Sequence, residues 1–292
     1  MTNLSSCIIT PSFKPDFDRC RLLVQSMDKF AQSPIHHYII VDQRDYQLFR
    51  QFEGSSRTIL TVESVLPWWI RRVPRLKNGW VSLKTLPIRN WLVQQIVKLE
   101  IANWIEEDVL IFVDSDVFFI RPFDYHQFIK SEQLRLFREI KPSSQWKSET
   151  VIKGKWFNTA HKLLNLPAFV DFSQQDLITN YVGNFITWKR DNVLQLHKYL
   201  EQVAHKSWIE SVANCWHFSE YTLYGVFVEQ ILQERSGHYF DPQKVSLDYW
   251  STEILSSEEL QDMFLDIPPE YFAAMISSKS NMSVAKYESF IS

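Results

Sequence analysis

VLIFVDSD, residues 109–116, is a run of five apolar residues closed by charge at Asp108 and Asp114 and ending in an Asp-Ser-Asp tip. Its length and its β-branched and aromatic bias predict a strand buried on both faces, central in a sheet, although periodicity alone leaves a short helix open. Side chains alternate along an extended chain, so Asp114 and Asp116 point to the same side, close enough to share a divalent cation or its water ligands.

Outward from this strand the pattern alternates. Ser6–Thr10 reads as a first strand stopped by Pro11, followed by a helix over Arg19–Phe30. His37–Val41 is a second strand, Asp45–Phe52 a helix, and Thr58–Val62 a third strand. This order predicts an α/β domain with a mostly parallel central sheet flanked by helices, and ligands in such sheets bind beyond the carboxyl ends of the strands. Asp42, Asp114 and Asp116 fall at those ends.

Pro67–Arg89, basic, aromatic and broken by Pro and Gly, reads as a long loop. Its Arg71, Arg72, Arg75 and Lys77 are placed to close over an anionic ligand, unless the aromatics merely dock on the core. Asn90–Ile105 is the clearest helix, with Leu92, Ile96 and Leu99 on one face, Gln94 and Lys98 on another, and Asn90 as its cap. A strand over Leu134–Arg138 precedes a loop from Lys141 to Gly154 and a helix over Lys155–Leu166. Ile178–Trp188 follows as a strand interrupted near Gly183, then a helix from Asp191 to Val203 capped by Asp191. Ser219 introduces a helix over Glu220–Glu234, His238–Phe240 is a short strand, and Ser257–Phe264 a last helix before a serine-rich, loosely held tail.

Composition narrows the function. In 292 residues, 45% hydrophobic content is ample for a core, and the 11 Trp and 21 Phe allow a stacking surface as well as a bulky interior. A net charge of −3 argues against a nucleic acid partner. Cys7, Cys20 and Cys215 have no metal-ligand spacing and cannot all pair, which points to a reducing cytoplasm. Neither a secretory leader nor a transmembrane segment is expected. The six glycines form no dinucleotide or P-loop fingerprint, and no serine nucleophile elbow occurs.

Hydrophobic strand plus Asp-X-Asp resembles the metal-binding motif of GT-A fold nucleotide-sugar glycosyltransferases, close to a bacterial DXD-containing group. The resemblance spans roughly residues 5–240, and implies a GT-A-like catalytic domain over 1–240 with a C-terminal extension over 241–292. It implies Mn²⁺ or Mg²⁺ as cofactor, a UDP- or GDP-sugar donor, and a saccharide or other hydroxyl acceptor. By the same resemblance Asp116 is a direct metal ligand, Asp114 a ligand or a contact to ribose, and His238 a further ligand. Thr10, Pro11, Ser12 and Asp16 fall where the family holds base and ribose, and Gln94 and Lys98 where it reaches toward the nucleotide. Glu220, in Ser219-Glu220-Tyr221, matches the carboxylate that takes the acceptor proton in inverting members. Two alternatives stand beside this: a non-catalytic nucleotide-sugar-binding protein on the same fold, and a haloacid-dehalogenase-like phosphatase, whose downstream Asp-Asp pair the sequence lacks.

Overall fold

The computed structural model describes residues 4–73, 79–146, 150–169, 172 and 175–291. In chain order, β1 (Ser6–Pro11), α1 (Phe17–Phe30), β2 (His36–Val41), α2 (Tyr46–Phe49) and β3 (Arg57–Thr61) form the first half of the central sheet. Then come α3 (Val62–Val65), β4 (Ile70–Arg72), β5 (Gly79–Ser82), β6 (Ile88–Arg89), α4 (Asn90–Glu100), β7 (Val109–Phe112) and β8 (Val117–Phe119). Next are β9 (Ile129–Lys130), β10 (Gln133–Phe137), β11 (Glu139–Pro142), α5 (Thr150–Leu163), β12 (Leu177–Asn180) and β13 (Ile186–Lys189). The chain continues through α6 (Arg190–Ala204), α7 (Trp208–Ala213), α8 (Glu220–Val226), β14 (His238–Asp241), β15 (Ser246–Tyr249), α9 (Ser257–Leu265) and β16 (Ala273–Ile276).

The central sheet has the order β13-β7-β1-β2-β3 and is parallel except for β13, which runs antiparallel to β7. The expected central strand is therefore found, flanked by β1 and β13. Its burial on both faces shows in how alternate residues divide. Leu110 and Phe112 join Cys7, Ile9 and Ile40 under α4, α6 and α8, while Val109, Ile111 and Val113 join Ile8 and the α1 residues Leu23 and Met27 on the other face. Such a strand has no solvent side, which is why it reads as a continuous apolar run.

Several local expectations are corrected. Pro67–Arg89 is not all loop: β4, β5 and β6 form an antiparallel meander that turns Ile70, Trp80 and Ile88 inward. Asn90 does not cap α4, since its Oδ1 accepts from Trp80 Nε1 at 3.1 Å and the cap position falls to Arg89. Asp191 lies within α6 rather than capping it. The loop expected from Lys141 instead begins within β11, which pairs with β12, and α5 begins at Thr150. Here tertiary pairing overrides a weak local signal. Ser219 caps α8 as expected, accepting from the Thr222 amide, but the helix leaves α geometry after Val226 and passes through a π-helical segment, Phe227–Leu232.

The tail is not loose. β16 lies between β15 and β8, so the strand that follows the Asp-Ser-Asp tip is built into a second sheet with residues more than 150 positions downstream. Met282 and Tyr287 pack with Phe118 and the α1 residue Leu22.

Candidate active site

β1 and β7 run parallel, so their carboxyl ends open on the same edge of the sheet, and a cleft of about 380 Å³ lies there. Asp16, Gln94, Lys98, Asp114, Asp116 and Glu220 all line it. Residues brought from four separate stretches thus meet at the edge where parallel sheets bind ligands.

Three carboxylates crowd one another in this cleft. The Asp116 carboxyl is pushed up to about 6, first by burial and then by Asp114, with Asp16 adding to it, while the Ser278 amide donates to its Oδ2 at 3.0 Å and opposes the rise. Asp16 is also raised by burial; Arg19, 3.3 Å away, opposes and Asp114 adds. Accumulated negative charge of this kind is relieved by a cation. Asp114 is the open member, with 44% of its side chain exposed.

Lys98 organises the floor. Its Nζ lies 3.2 Å from Asp114 Oδ1, 3.3 Å from Glu220 Oε1 and donates to the Tyr221 hydroxyl at 2.8 Å. Burial disfavours its charge, but Asp114, Tyr221 and Glu220 together outweigh this and raise it well above the ordinary lysine value. Glu220 is raised by burial against the pull of Lys98. Its backbone amide donates to Gln95 Oε1 at 3.2 Å, which seats the start of α8 against α4. The buried Gln95 Nε2 has no acceptor among the described residues, although Gln95 lines the cleft.

Two further cavities adjoin this cleft. One of about 530 Å³ shares Pro11, Phe13 and Gln94 with it and extends past Ser12 to Asp42 and Trp80. Another, of about 440 Å³, shares Trp156, Trp250 and Lys279 and adds Lys153, Asn184 and Asp248.

Two residues singled out from sequence are excluded by their surroundings. His238 is buried in β14, with Nδ1 donating to the Leu134 carbonyl at 2.9 Å and Nε2 paired with the Tyr224 hydroxyl at 2.8 Å. Burial pushes it down to about 3, so it is neutral, and with both nitrogens engaged it has no lone pair for a metal. Thr10 turns its hydroxyl to His37 Nε2, 2.9 Å away, between β1 and β2, and lines neither the cleft nor either adjoining cavity. Arg72 is held 2.6 Å from Asp42 and is committed there; Arg71 is exposed, while Arg75 and Lys77 lie outside the described residues.

Sequence reasoning missed Gln95, Trp91, Trp156, Trp250, Ser278 and Lys279, all of which line the cleft. Gln95 was within reach, one position from Gln94 on the same helix. Ser278 and Lys279 gave no signal, because only the β8–β16 pairing brings them to Asp116.

The fold and cleft define a mixed α/β protein with an acidic site at the carboxyl edge of a mostly parallel sheet. The chain belongs to the family described as "Family of unknown function (DUF6492)", whose model matches residues 4–292. No curated protein matches the chain significantly.

Proposed function

We propose that the chain is a metal-dependent glycosyltransferase of GT-A-like fold, moving a sugar from a UDP- or GDP-sugar to a hydroxyl of a saccharide or other acceptor. The observation that carries this reading is the convergence of Asp16, Asp114 and Asp116 with Lys98 on one cleft, between two larger cavities, beyond β1 and β7.

The donor set fits a hard cation. Asp116, raised by burial and then by its carboxylate neighbours, and the open Asp114 supply oxygen ligands. Among the described residues no group of three or more His, Cys, Asp or Glu is arranged to hold an ion. Ions such as Mg²⁺ are commonly held by one or two carboxylates together with ligand phosphates and water. Asp114 and Asp116 would hold it, and the bound ion would offset charge on the departing nucleoside diphosphate.

The chain's own residues then divide the work. The cavity lined by Pro11, Ser12 and Gln94 offers room for the nucleoside, and the one beyond Trp156 and Trp250 offers room for the acceptor. Lys98 orients Asp114 and Glu220 at once. Glu220 is the base that takes the acceptor proton if configuration inverts, and its ion pair with Lys98 favours the ionised form against the effect of burial.

Titration calorimetry with UDP and GDP, with and without Mn²⁺, followed by donor hydrolysis, tests the reading. The expected result is binding that requires Mn²⁺ and slow release of free sugar. Metal-dependent binding with no turnover for any donor and acceptor would instead favour a binding protein on the same fold. Absence of binding by either nucleotide would overturn the reading.

A further inference from the structure

The meander β4–β6 and the residues near it expose several large apolar side chains. Trp68 is 67% exposed, Leu83 and Leu86 each 74%, and Trp216 69%, with Val81 and Trp91 also exposed. The register sets which residues of the meander itself face outward. Arg71 pairs with Val81 and Gly79 with Arg89, so Arg71, Val81 and Arg89 project outward while Ile70, Trp80 and Ile88 fill the core. Leu83 and Leu86 sit in the β5–β6 turn beside that face. Arg89 joins the meander to the helical side: its guanidinium lies 4.3 Å from the Trp216 ring and 5.9 Å from the Trp91 ring, and it donates to the Trp216 carbonyl.

Charge selects the occupant. Between Pro67 and Trp91 the described residues include Arg71, Arg72, Lys84 and Arg89 and no Asp or Glu, in a chain whose net charge is −3. Arg72 turns inward to Asp42, and Lys84 shares Glu210 at 3.6 Å at the rim; Arg71 and Arg89 face outward. Tryptophan and leucine interleaved with arginine and lysine match the boundary between acyl chains and anionic headgroups, where amphipathic rings and basic groups gain together.

We propose that this face docks the protein on an anionic phospholipid bilayer. Trp91 belongs both to the face and to the wall of the acidic cleft, so docking brings the cleft mouth to the lipid surface. The docking does not depend on the transferase reading.

The test is co-sedimentation of the full chain with vesicles of equimolar phosphatidylglycerol and phosphatidylcholine, against vesicles of phosphatidylcholine alone. The expected result is sedimentation with the anionic vesicles only, weakened by salt. Arg71→Ser should reduce partitioning about fivefold. The Leu83→Ser, Leu86→Ser double variant should reduce it at least about tenfold, with an unchanged melting temperature because both side chains are exposed. Failure to sediment with anionic vesicles would overturn the proposal, as would equal binding to both vesicle types or undiminished binding of the variants. A dimer seen by light scattering that the leucine variant dissociates, with no vesicle binding, would overturn it in favour of a second copy as occupant.

Discussion

Replacing Lys98 with Met strips the cation from a buried carboxylate, and the structure sets the size of the effect. Glu220 is only 4% exposed and its ion pair with Lys98 is 3.3 Å long. Removing one partner of a buried pair costs about 3–5 kcal/mol, because the remaining charge is left uncompensated. Asp114 contributes little to this cost, since it is partly solvated, and the lost bond to Tyr221 adds about 1 kcal/mol. Urea unfolding near neutral pH should therefore show a midpoint lowered by about 1–2 M. The sign of the pH dependence follows from Glu220. Without Lys98 burial pushes the Glu220 carboxyl still further above its unfolded value, so Lys98→Met loses stability as pH rises and recovers part of it on acidification. Adding Glu220→Gln to Lys98→Met removes the stranded charge, and the double variant should be more stable than Lys98→Met by about 2 kcal/mol or more. A Lys98→Met cost below about 1 kcal/mol, or strict additivity in the cycle, would refute the view that these two residues form one buried unit.

Asp116→Ala should abolish Mn²⁺-dependent nucleotide binding, measured by calorimetry, while Asp16→Asn should only weaken it. Because Asp116 is held at about 6, metal-dependent binding in the unsubstituted protein should fall as pH drops below that value, the proton competing with the cation; binding that is flat from about pH 7 to pH 5 would contradict the assignment. His238→Ala should lower stability by about 1–3 kcal/mol through its two lost hydrogen bonds, yet leave the metal dependence of nucleotide binding intact. A Cβ at Gly225 would overlap the Tyr181 ring, so Gly225→Ala should destabilise by about 1–3 kcal/mol in thermal unfolding, and a neutral result would show that Tyr181 can move aside.

Much of the central sheet was legible because its strands are buried on both faces. β1, β2, β3 and β7 appear as short apolar runs bounded by Pro, Gly or charge, a signal that survives without tertiary information. Asp114 and Asp116 were legible as a strand end on a parallel sheet, whereas Pro11, Ser12, Asp16, Gln94, Lys98 and Glu220 were picked out only by the family resemblance; the structure brings all eight to two adjoining cavities. His238 and Thr10 failed because residue type and position do not reveal what a side chain already holds. In both cases a buried neighbour, Tyr224 or His37, had taken the polar atom. The meander and β11 failed because their strand character comes from pairing rather than from their own sequence.

The pairing of β8 with β16 has a consequence for biosynthesis. The amide that steadies Asp116 belongs to Ser278, so the acidic tip acquires its finished geometry only after residues 273–278 have left the ribosome and threaded between β15 and β8. A nascent chain that has already collapsed around β1 and β7 would carry an immature tip until those residues have emerged and paired.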